Sequence, residues 1–289
     1  MEERLGFIGL GVMGQAMAQN LAVEHPLVVW NRSQERMRPL TALGGRGAAS
    51  ACQVVEASTV VFLMLSNDAV VSAVVEGPAG VLEALRPGQV IVDHSTISPA
   101  ETRRLAKLVS ERGADWLDAP VTGGDIGARE ATLTIMAGGR EEAYQRVLPY
   151  LQKMGRRILH VGPVGQGQTL KLTANLVSCL TLMAASEGVR MGLSMGLELE
   201  DLATVMNYGS AQSYELKKVL DRWQSQDFEP GFSVENRYKD LKLALELARQ
   251  GGFDATLAEA AEPLYRAHRD RGFGSRDEAS YIQRWRKGE

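Results

Sequence analysis

Cysteine is scarce: the 289 residues hold two, Cys52 and Cys179, far apart and in no Cys-x-x-Cys spacing. That excludes a disulfide framework and a cysteine-built zinc site, and it fits a reducing compartment. His25, His94, His160 and His268 stand at no metal-ligand spacing, so no metal site is expected. A basic excess is missing too: 32 Lys and Arg face 35 Asp and Glu, a net charge of −3. A phosphate backbone would find no electrostatic footprint here, so nucleic acid is not expected as a partner. The start, Met1-Glu2-Glu3-Arg4, runs straight into apolar residues without the basic start and long apolar stretch of a signal peptide. The uncharged stretch between Lys171 and Glu187 reads as too short, and too rich in Thr, Asn and Ser, to cross a bilayer. A cytoplasmic protein with no membrane partner is the expectation. Internal repeats and low-complexity segments are also absent.

What is present is an ordinary globular composition, 45% apolar and 23% charged, in a chain long enough for two domains. Unalternated apolar runs at Leu5–Ile8, Leu27–Trp30, Thr59–Leu65 and Val90–Asp93 predict strands buried on both faces. Amphipathic stretches at Met13–Val23, Gln34–Leu43, Val81–Leu85 and Pro99–Arg112 lie between or after them, punctuated by Gly and Pro. Further strand signals follow at Ala114–Ala119, Leu133–Ala137 and Arg157–Val161. The order argues an α/β, doubly wound (Rossmann) domain over residues 1–162. From 163 to 289 no convincing strand remains. Helical patterns cover Gln168–Met195, Glu200–Tyr208, Tyr214–Gln224, Ser233–Gln250, Leu257–Arg271 and Asp277–Trp285, so the second domain is expected to be all-α.

Gly9-Leu10-Gly11-Val12-Met13-Gly14 matches Gly-x-Gly-x-x-Gly. The pattern alone is weak, but here a predicted strand precedes it and a helix opens behind it. Gly9 permits a tight turn, Gly11 lets backbone approach a pyrophosphate, and Gly14 allows close helix–strand packing. The helix N-terminus offers free N–H groups to phosphates. The next strand ends Trp30-Asn31-Arg32-Ser33, with no carboxylate where one would bind a ribose 2′-hydroxyl. Arg32 offers instead a fixed cation that matches a 2′-phosphate, with Ser33 able to add a hydroxyl. NADP is therefore expected over NAD.

Lys171 is unusual in the helix that carries it, because the first turns hold few charges. Asn175 and Ser178 share its face at i+4 and i+7. Two readings stand. Either burial tunes the lysine as a proton donor and acceptor, or it snorkels to solvent. Asp118-Ala119-Pro120-Val121-Thr122-Gly123-Gly124 ends a strand, where ligands of doubly wound sheets bind, and its last three residues could hold a carboxylate. Asp93-His94-Ser95-Thr96 also lies just past a strand. Lys239-Asp240-Leu241 sits on a late helix, with Phe232 and Asn236 on a similar face. Tyr214/Lys218 and Tyr238/Lys242 match Tyr-x-x-x-Lys but lie far downstream of where that motif belongs, and are read as chance.

Four motifs in order carry a resemblance. They are Gly6-Phe7-Ile8-Gly9-Leu10-Gly11-Val12-Met13-Gly14, then Asp118–Gly124 with Thr132-Leu133-Thr134-Ile135-Met136-Ala137-Gly138-Gly139, then Gly167-Gln168-Thr169-Leu170-Lys171-Leu172-Thr173-Ala174-Asn175, and Lys239-Asp240-Leu241. The chain resembles, over essentially its whole length, the β-hydroxyacid dehydrogenase family. Its members include 3-hydroxyisobutyrate dehydrogenase, tartronate semialdehyde reductase and the glyoxylate/succinic semialdehyde reductases. The resemblance implies an oxidoreductase that interconverts a small 3-hydroxy acid and its semialdehyde. It makes Lys171 the acid/base, Asn175 the residue that orients substrate, and Thr122, Gly123 and Gly124 the carboxylate site. Thr96 would sit by nicotinamide and substrate, Leu65 and Ser66 would line the cofactor, and Lys239 would close over it. It also implies a homodimer or homotetramer. Thr122 stands where Ser is usual, Ser66 replaces a common Pro, and Asn236-Arg237 occupies a stretch often apolar in the family, which is expected to alter the substrate pocket. Imine reductases resemble this family in fold, as do inactive NADP-binding relatives, but both generally lack a lysine at the position of Lys171.

Overall fold

The computed structural model describes residues 3–285. The chain packs as two compact units, one ending at Lys171 and the other beginning at Leu172.

The first unit is a nine-stranded sheet with helices on both faces. Its strands are β1 (Leu5–Ile8), β2 (Leu27–Trp30), β3 (Arg46–Gly47), β4 (Val60–Leu63), β5 (Val90–Asp93), β6 (Asp115–Asp118), β7 (Val121–Thr122), β8 (Leu133–Gly138) and β9 (Gly155–Gly162). Their spatial order is β3-β2-β1-β4-β5-β6-β8-β7, with β9 beside β8. The chain builds outward from β1 to one side, then returns to add β4 on the other. That reversal opens a crevice beyond the carboxyl ends of β1 and β4. Every position of β1, β4 and β5 is buried, which is why these strands read as unbroken apolar runs. Alternate side chains feed opposite faces: Phe7, Val60 and Phe62 join one core, Ile8, Val61 and Leu63 the other.

The expected strands are all found, within a few residues. The two-residue strands β3 and β7 were not anticipated, since no period can show in so short a segment. The sheet is also not wholly parallel, because β8 runs antiparallel to β6 and β7. Helices at Ala51–Ala57, Asp68–Glu76, Gly124–Arg129 and Glu141–Leu151 went unread. The first two carry the usual cap: Ser50 Oγ accepts the Gln53 N–H and Asn67 Oδ1 accepts the Val70 N–H. The stretch Gln34–Leu43 is not one helix. It divides into a tight turn at Gln34–Met37 and a short helix at Arg38–Ala42, where Pro39 lacks the N–H needed to continue the first piece.

The second unit is helical and has no strand among its described residues; Ser233 and Asp277 make one isolated antiparallel bridge. Its helices are the long Gln166–Ser194, which begins in the first unit, then Leu199–Tyr208, Tyr214–Ser225, Val234–Gln250 and Thr256–His268. The chain does not stay α-helical to Arg271: it widens into a looser turn at Arg269–Phe273, where Gly272 reverses it with φ +94°. Glu278–Trp285 then winds more tightly than an α-helix. The core gathers Cys179, Leu182, Val189, Leu216, Val219, Tyr265, Tyr281 and Ile282. The long helix corrects one sequence expectation. At 29 residues it is long and apolar enough to cross a membrane. Along it Leu172, Cys179, Leu182 and Val189 are fully buried, while Val177 and Met191 are exposed.

Candidate active site

The Gly9–Gly14 loop leaves β1 at the crevice. Gly9 holds φ +93°, and a side chain there would drive into the Met64 carbonyl. A side chain at Gly14 would strike the Gly9 carbonyl, so the helix Val12–Ala22 can close on the loop only through glycine. Gly11 differs: nothing of the protein lies within 4 Å of a side chain built there. Two of the three glycines thus serve the protein's own packing, and the third leaves space open. Gly11 also begins the helix without a side-chain cap, and its first turn holds no acid. Leu10, Val12 and Met13 complete the loop.

Asn31 is held by the protein itself. Its Oδ1 accepts the Leu10 N–H at 2.8 Å and its Nδ2 donates to the Ser33 carbonyl at 2.9 Å. It ties the glycine loop to the end of β2. Arg36 adds a long bond, donating to the Leu10 carbonyl at 3.4 Å. Arg32 is exposed, and among the described residues no acid or acceptor pairs with it.

Beyond β5 and β6 a buried polar network joins three segments. Asp118 Oδ1 accepts the Gly165 N–H at 2.7 Å and its Oδ2 the Gln168 N–H at 2.9 Å. This carboxylate caps a helix more than forty residues away in sequence, where the helix dipole favours an anion. A side chain at Gly167 would come within 2.7 Å of the Asp118 carbonyl, so glycine is needed for this close seat. Gln168 Nε2 donates to the Ser95 carbonyl at 2.7 Å, and its Oε1 accepts the Ile97 N–H at 3.3 Å. Ser95 Oγ accepts the Leu65 N–H at 2.9 Å, and Asp93 Oδ1 accepts the Ser95 N–H at 2.9 Å. Burial pushes the Asp93 and Asp118 carboxyls up to about 7, against the N–H groups that would keep them charged. Thr96 lies inside this arrangement and Leu65 at its edge; Ser66 is exposed.

Lys171 follows one helical turn after Gln168. It is buried, 8% exposed, so the snorkelling alternative is set aside. Thr122 ends β7 opposite Thr134 of β8. Gly123 and Gly124 turn the chain away with φ 131° and 64°, and all three are exposed.

The second unit, taken by itself, holds a polar cluster of its own. Asn175 is buried and its Nδ2 donates to Asp240 Oδ2 at 2.6 Å. Lys239 pairs with the other oxygen of Asp240 at 3.1 Å. Asn236 is exposed. Arg237 is buried; its Nη1 donates to the Asn175 carbonyl at 3.3 Å, its Nη2 to Ser178 Oγ at 3.0 Å and its Nε to Glu278. Glu278 also accepts from Lys218, and Ser178 donates to Glu215. The departure noted at Arg237 is thus absorbed into an ionic cluster behind Asn175.

The comparisons with known proteins agree along the whole chain. A family model described as the NAD binding domain of 6-phosphogluconate dehydrogenase matches residues 4–162. One described as NAD-binding of NADP-dependent 3-hydroxyisobutyrate dehydrogenase matches residues 165–285. The 2-hydroxy-3-oxopropionate reductase of Escherichia coli (strain K12) is 37% identical, over 97% of this chain and 96% of its own. The 2-(hydroxymethyl)glutarate dehydrogenase of Eubacterium barkeri is 35% identical, over 98% and 94%. The chain belongs to the β-hydroxyacid dehydrogenase family. A 3-hydroxyisobutyrate dehydrogenase of Mycobacterium tuberculosis, solved with L-serine, shares this member's fold with a TM-score of 0.90 at 30% identity, covering 99% of this chain and 100% of that one. As a β-hydroxyacid dehydrogenase the protein is an oxidoreductase that acts on CH–OH donors with a nicotinamide cofactor.

Residue reading missed Asp118 as a helix cap and gave Gln168 and Ser95 no role. One signal was available for Gln168: it stands at i−3 from Lys171 on the same helix.

Proposed function

We propose that this family member interconverts a small 3-hydroxy acid and its semialdehyde using NADP(H), with Lys171 moving the proton. The observation that carries the reading is the buried Lys171, one turn from a helix start seated against the ends of β5 and β6.

The loop suits a dinucleotide, for Gly11 is open and the helix behind it has uncapped N–H groups and no acid in its first turn. Gly9, Leu10, Gly11, Val12, Met13 and Gly14 would hold the pyrophosphate. Arg32 and Ser33 would take the 2′-phosphate, and Asn31 would act by fixing the loop. When bound, the nicotinamide supplies or accepts the hydride. In reduction the Lys171 ammonium gives its proton to the carbonyl oxygen. In oxidation the neutral amine takes the hydroxyl proton. Thr122, Gly123 and Gly124 would bind the substrate carboxylate, and Asn175, its amide held by Asp240, would orient the substrate. Thr96 and Leu65 would flank the nicotinamide.

The test is NADPH absorbance against a panel of semialdehydes. Lys171→Ala should lower turnover by about two to four orders of magnitude, the scale of a lost acid/base, with NADPH affinity nearly intact. Lys171→Arg should fare little better, since a guanidinium cannot act as base. More than about a tenth of wild-type turnover in Lys171→Ala would remove this lysine from the reaction. NADPH should be preferred over NADH, and Arg32→Ala should shrink that preference by about ten- to a hundredfold, the value of one charge-assisted phosphate contact. Equal use of NADH by the wild type would end the reading of Arg32.

Self-association is proposed on a separate ground. Helix Leu199–Tyr208 buries none of its residues, and Val177, Met191, Met195, Val205 and Tyr208 are exposed, Tyr208 at 91%. A homodimer or homotetramer would cover them. A single-chain mass by light scattering would overturn this.

A further inference from the structure

Gln168 is fully buried and both ends of its side-chain amide are engaged. Its Nε2 donates to the Ser95 carbonyl at 2.7 Å and its Oε1 accepts the Ile97 N–H at 3.3 Å. These two backbone groups bracket Thr96. Its own backbone N–H donates to Asp118. One residue therefore grips the loop on both sides of Thr96 while standing on the turn before Lys171. The far side of the loop is held as well, since Ser95 Oγ accepts the Leu65 N–H and Asp93 accepts the Ser95 N–H.

We propose that Gln168 is a positioning residue that sets the distance between the nicotinamide-side loop at Thr96 and the proton-transferring amine of Lys171. The inference rests on the reading of Lys171 and Thr96 given above. Hydride and proton reach adjacent atoms of one carbonyl, the first at carbon and the second at oxygen, so the groups that deliver them must be held in register. A neutral amide suits the task. It offers one donor and one acceptor to two backbone groups that themselves offer one acceptor and one donor. A carboxylate could satisfy only the Ile97 N–H and would face the Ser95 carbonyl, with the buried acids Asp93 and Asp118 nearby. An apolar side chain of similar length would satisfy neither group and leave both buried.

Two variants and three readouts test this. Gln168→Met removes both bonds and keeps most of the volume. Its turnover should fall about ten- to a hundredfold, the scale for a reacting group displaced by about an ångström. NADPH affinity, read by nucleotide fluorescence, should stay near wild type, while the thermal midpoint should fall modestly for the two unpaired backbone groups. Gln168→Glu carries the distinguishing readout. Protonated, the introduced carboxyl regains an O–H donor for Ser95 and keeps an acceptor for Ile97. Its turnover in the reductive direction, taken as a ratio to wild type at each pH, should rise as pH is lowered. The same ratio for Gln168→Met should stay flat. Wild-type turnover in Gln168→Met would overturn the proposal. So would losses of turnover, cofactor affinity and thermal midpoint that move together in both variants, for that is a fold defect. If Gln168→Met does not fold, the pH dependence of the Gln168→Glu ratio decides alone, a flat ratio overturning the proposal. Lys171→Ala separates the two readings. A fully active Lys171→Ala enzyme defeats the site assignment itself, whereas an inactive one beside a fully active Gln168→Met enzyme defeats only the bridge.

Discussion

Asp118 of the first unit and Glu278 of the second are both buried, and both are carboxylates that hold other elements in place. They do so by different chemistry. Asp118 is answered by backbone: the N–H groups of Gly165 and Gln168 fill its two oxygens, and its carboxyl is pushed up by burial to about 7. Glu278 is answered by charge. Burial pushes it up, but Arg237 and Lys218 outweigh that and hold it below the ordinary carboxylate range. The first arrangement shapes a loop and a helix start. The second fastens packed helices to one another. A backbone N–H fixes where a segment lies without adding a mobile charge beside a reacting centre. An ion pair tolerates less, because each partner stranded alone is costly.

The sharpest break of that contrast is in the second unit. Glu278→Ala should destabilise by about 3–5 kcal/mol, since it strands the buried Arg237 and the half-buried Lys218, which keep Glu215 only at 3.8 and 3.9 Å. Adding Arg237→Met should recover part of the loss, because an apolar replacement of both partners removes the stranded charge. Denaturant unfolding of the two variants measures this. A double variant worse than Glu278→Ala by the full cost of a second lesion would show that the cluster is not coupled.

The two chemistries also predict opposite dependence on pH. Asp93 and Asp118 are held higher in the folded chain than in the unfolded one, so the folded state keeps their protons longer. Their contribution therefore becomes less favourable as pH rises from the ordinary aspartate range near 4 toward about 7. Glu278 is held lower, so its stabilisation is present above the ordinary glutamate range and is lost as pH falls through its folded value. Glu215, raised by burial and by the charge of Glu278, subtracts from the second effect. Relative to an Asp93→Asn/Asp118→Asn protein, wild type should lose stability between pH 5 and 7, by at most about a few kcal/mol. Thermal unfolding of both across that range checks the sign. A difference that stays flat or grows with pH would mean that these acids are ionised throughout.

What the sequence made legible divides along the same line. Strands buried on both faces announce themselves as apolar runs, and β1 and β5 fell on the expected residues. Lys171 and the glycine loop stood out because charge in an apolar helix and closely spaced glycines are local signals. The bonds that build the network are not local. Asp118 reaches Gly165 and Gln168 across about fifty positions, and Gln168 reaches Ser95 and Ile97 across about seventy, so no window of sequence could show them. Arg237 was noticed as a departure, but its destination depended on Glu278, forty-one residues on. Asn31 is a further case: its side chain accepts from the protein's own Leu10, twenty-one residues away.

The smallest predicted effects test whether the first unit is as backbone-built as it looks. Gly14→Ala places a methyl against the Gly9 carbonyl, which cannot move without unseating the loop, and should cost about 1–3 kcal/mol. Gly11→Ala meets no protein atom and keeps an ordinary backbone angle, φ −68°. Alanine there gains a little from a stiffer unfolded chain and loses a little as a helix cap, so stability should stay within about 0.5 kcal/mol of wild type. The loss should appear instead in NADPH affinity, because the methyl would occupy the space that a pyrophosphate needs. Paired measurements of thermal midpoint and NADPH binding distinguish the two glycines. A Gly11→Ala protein that binds NADPH as wild type does would mean that the open space before Gly11 is not where the phosphates lie. One that loses stability as Gly14→Ala does would mean that the loop closes on Gly11 as tightly as on Gly14.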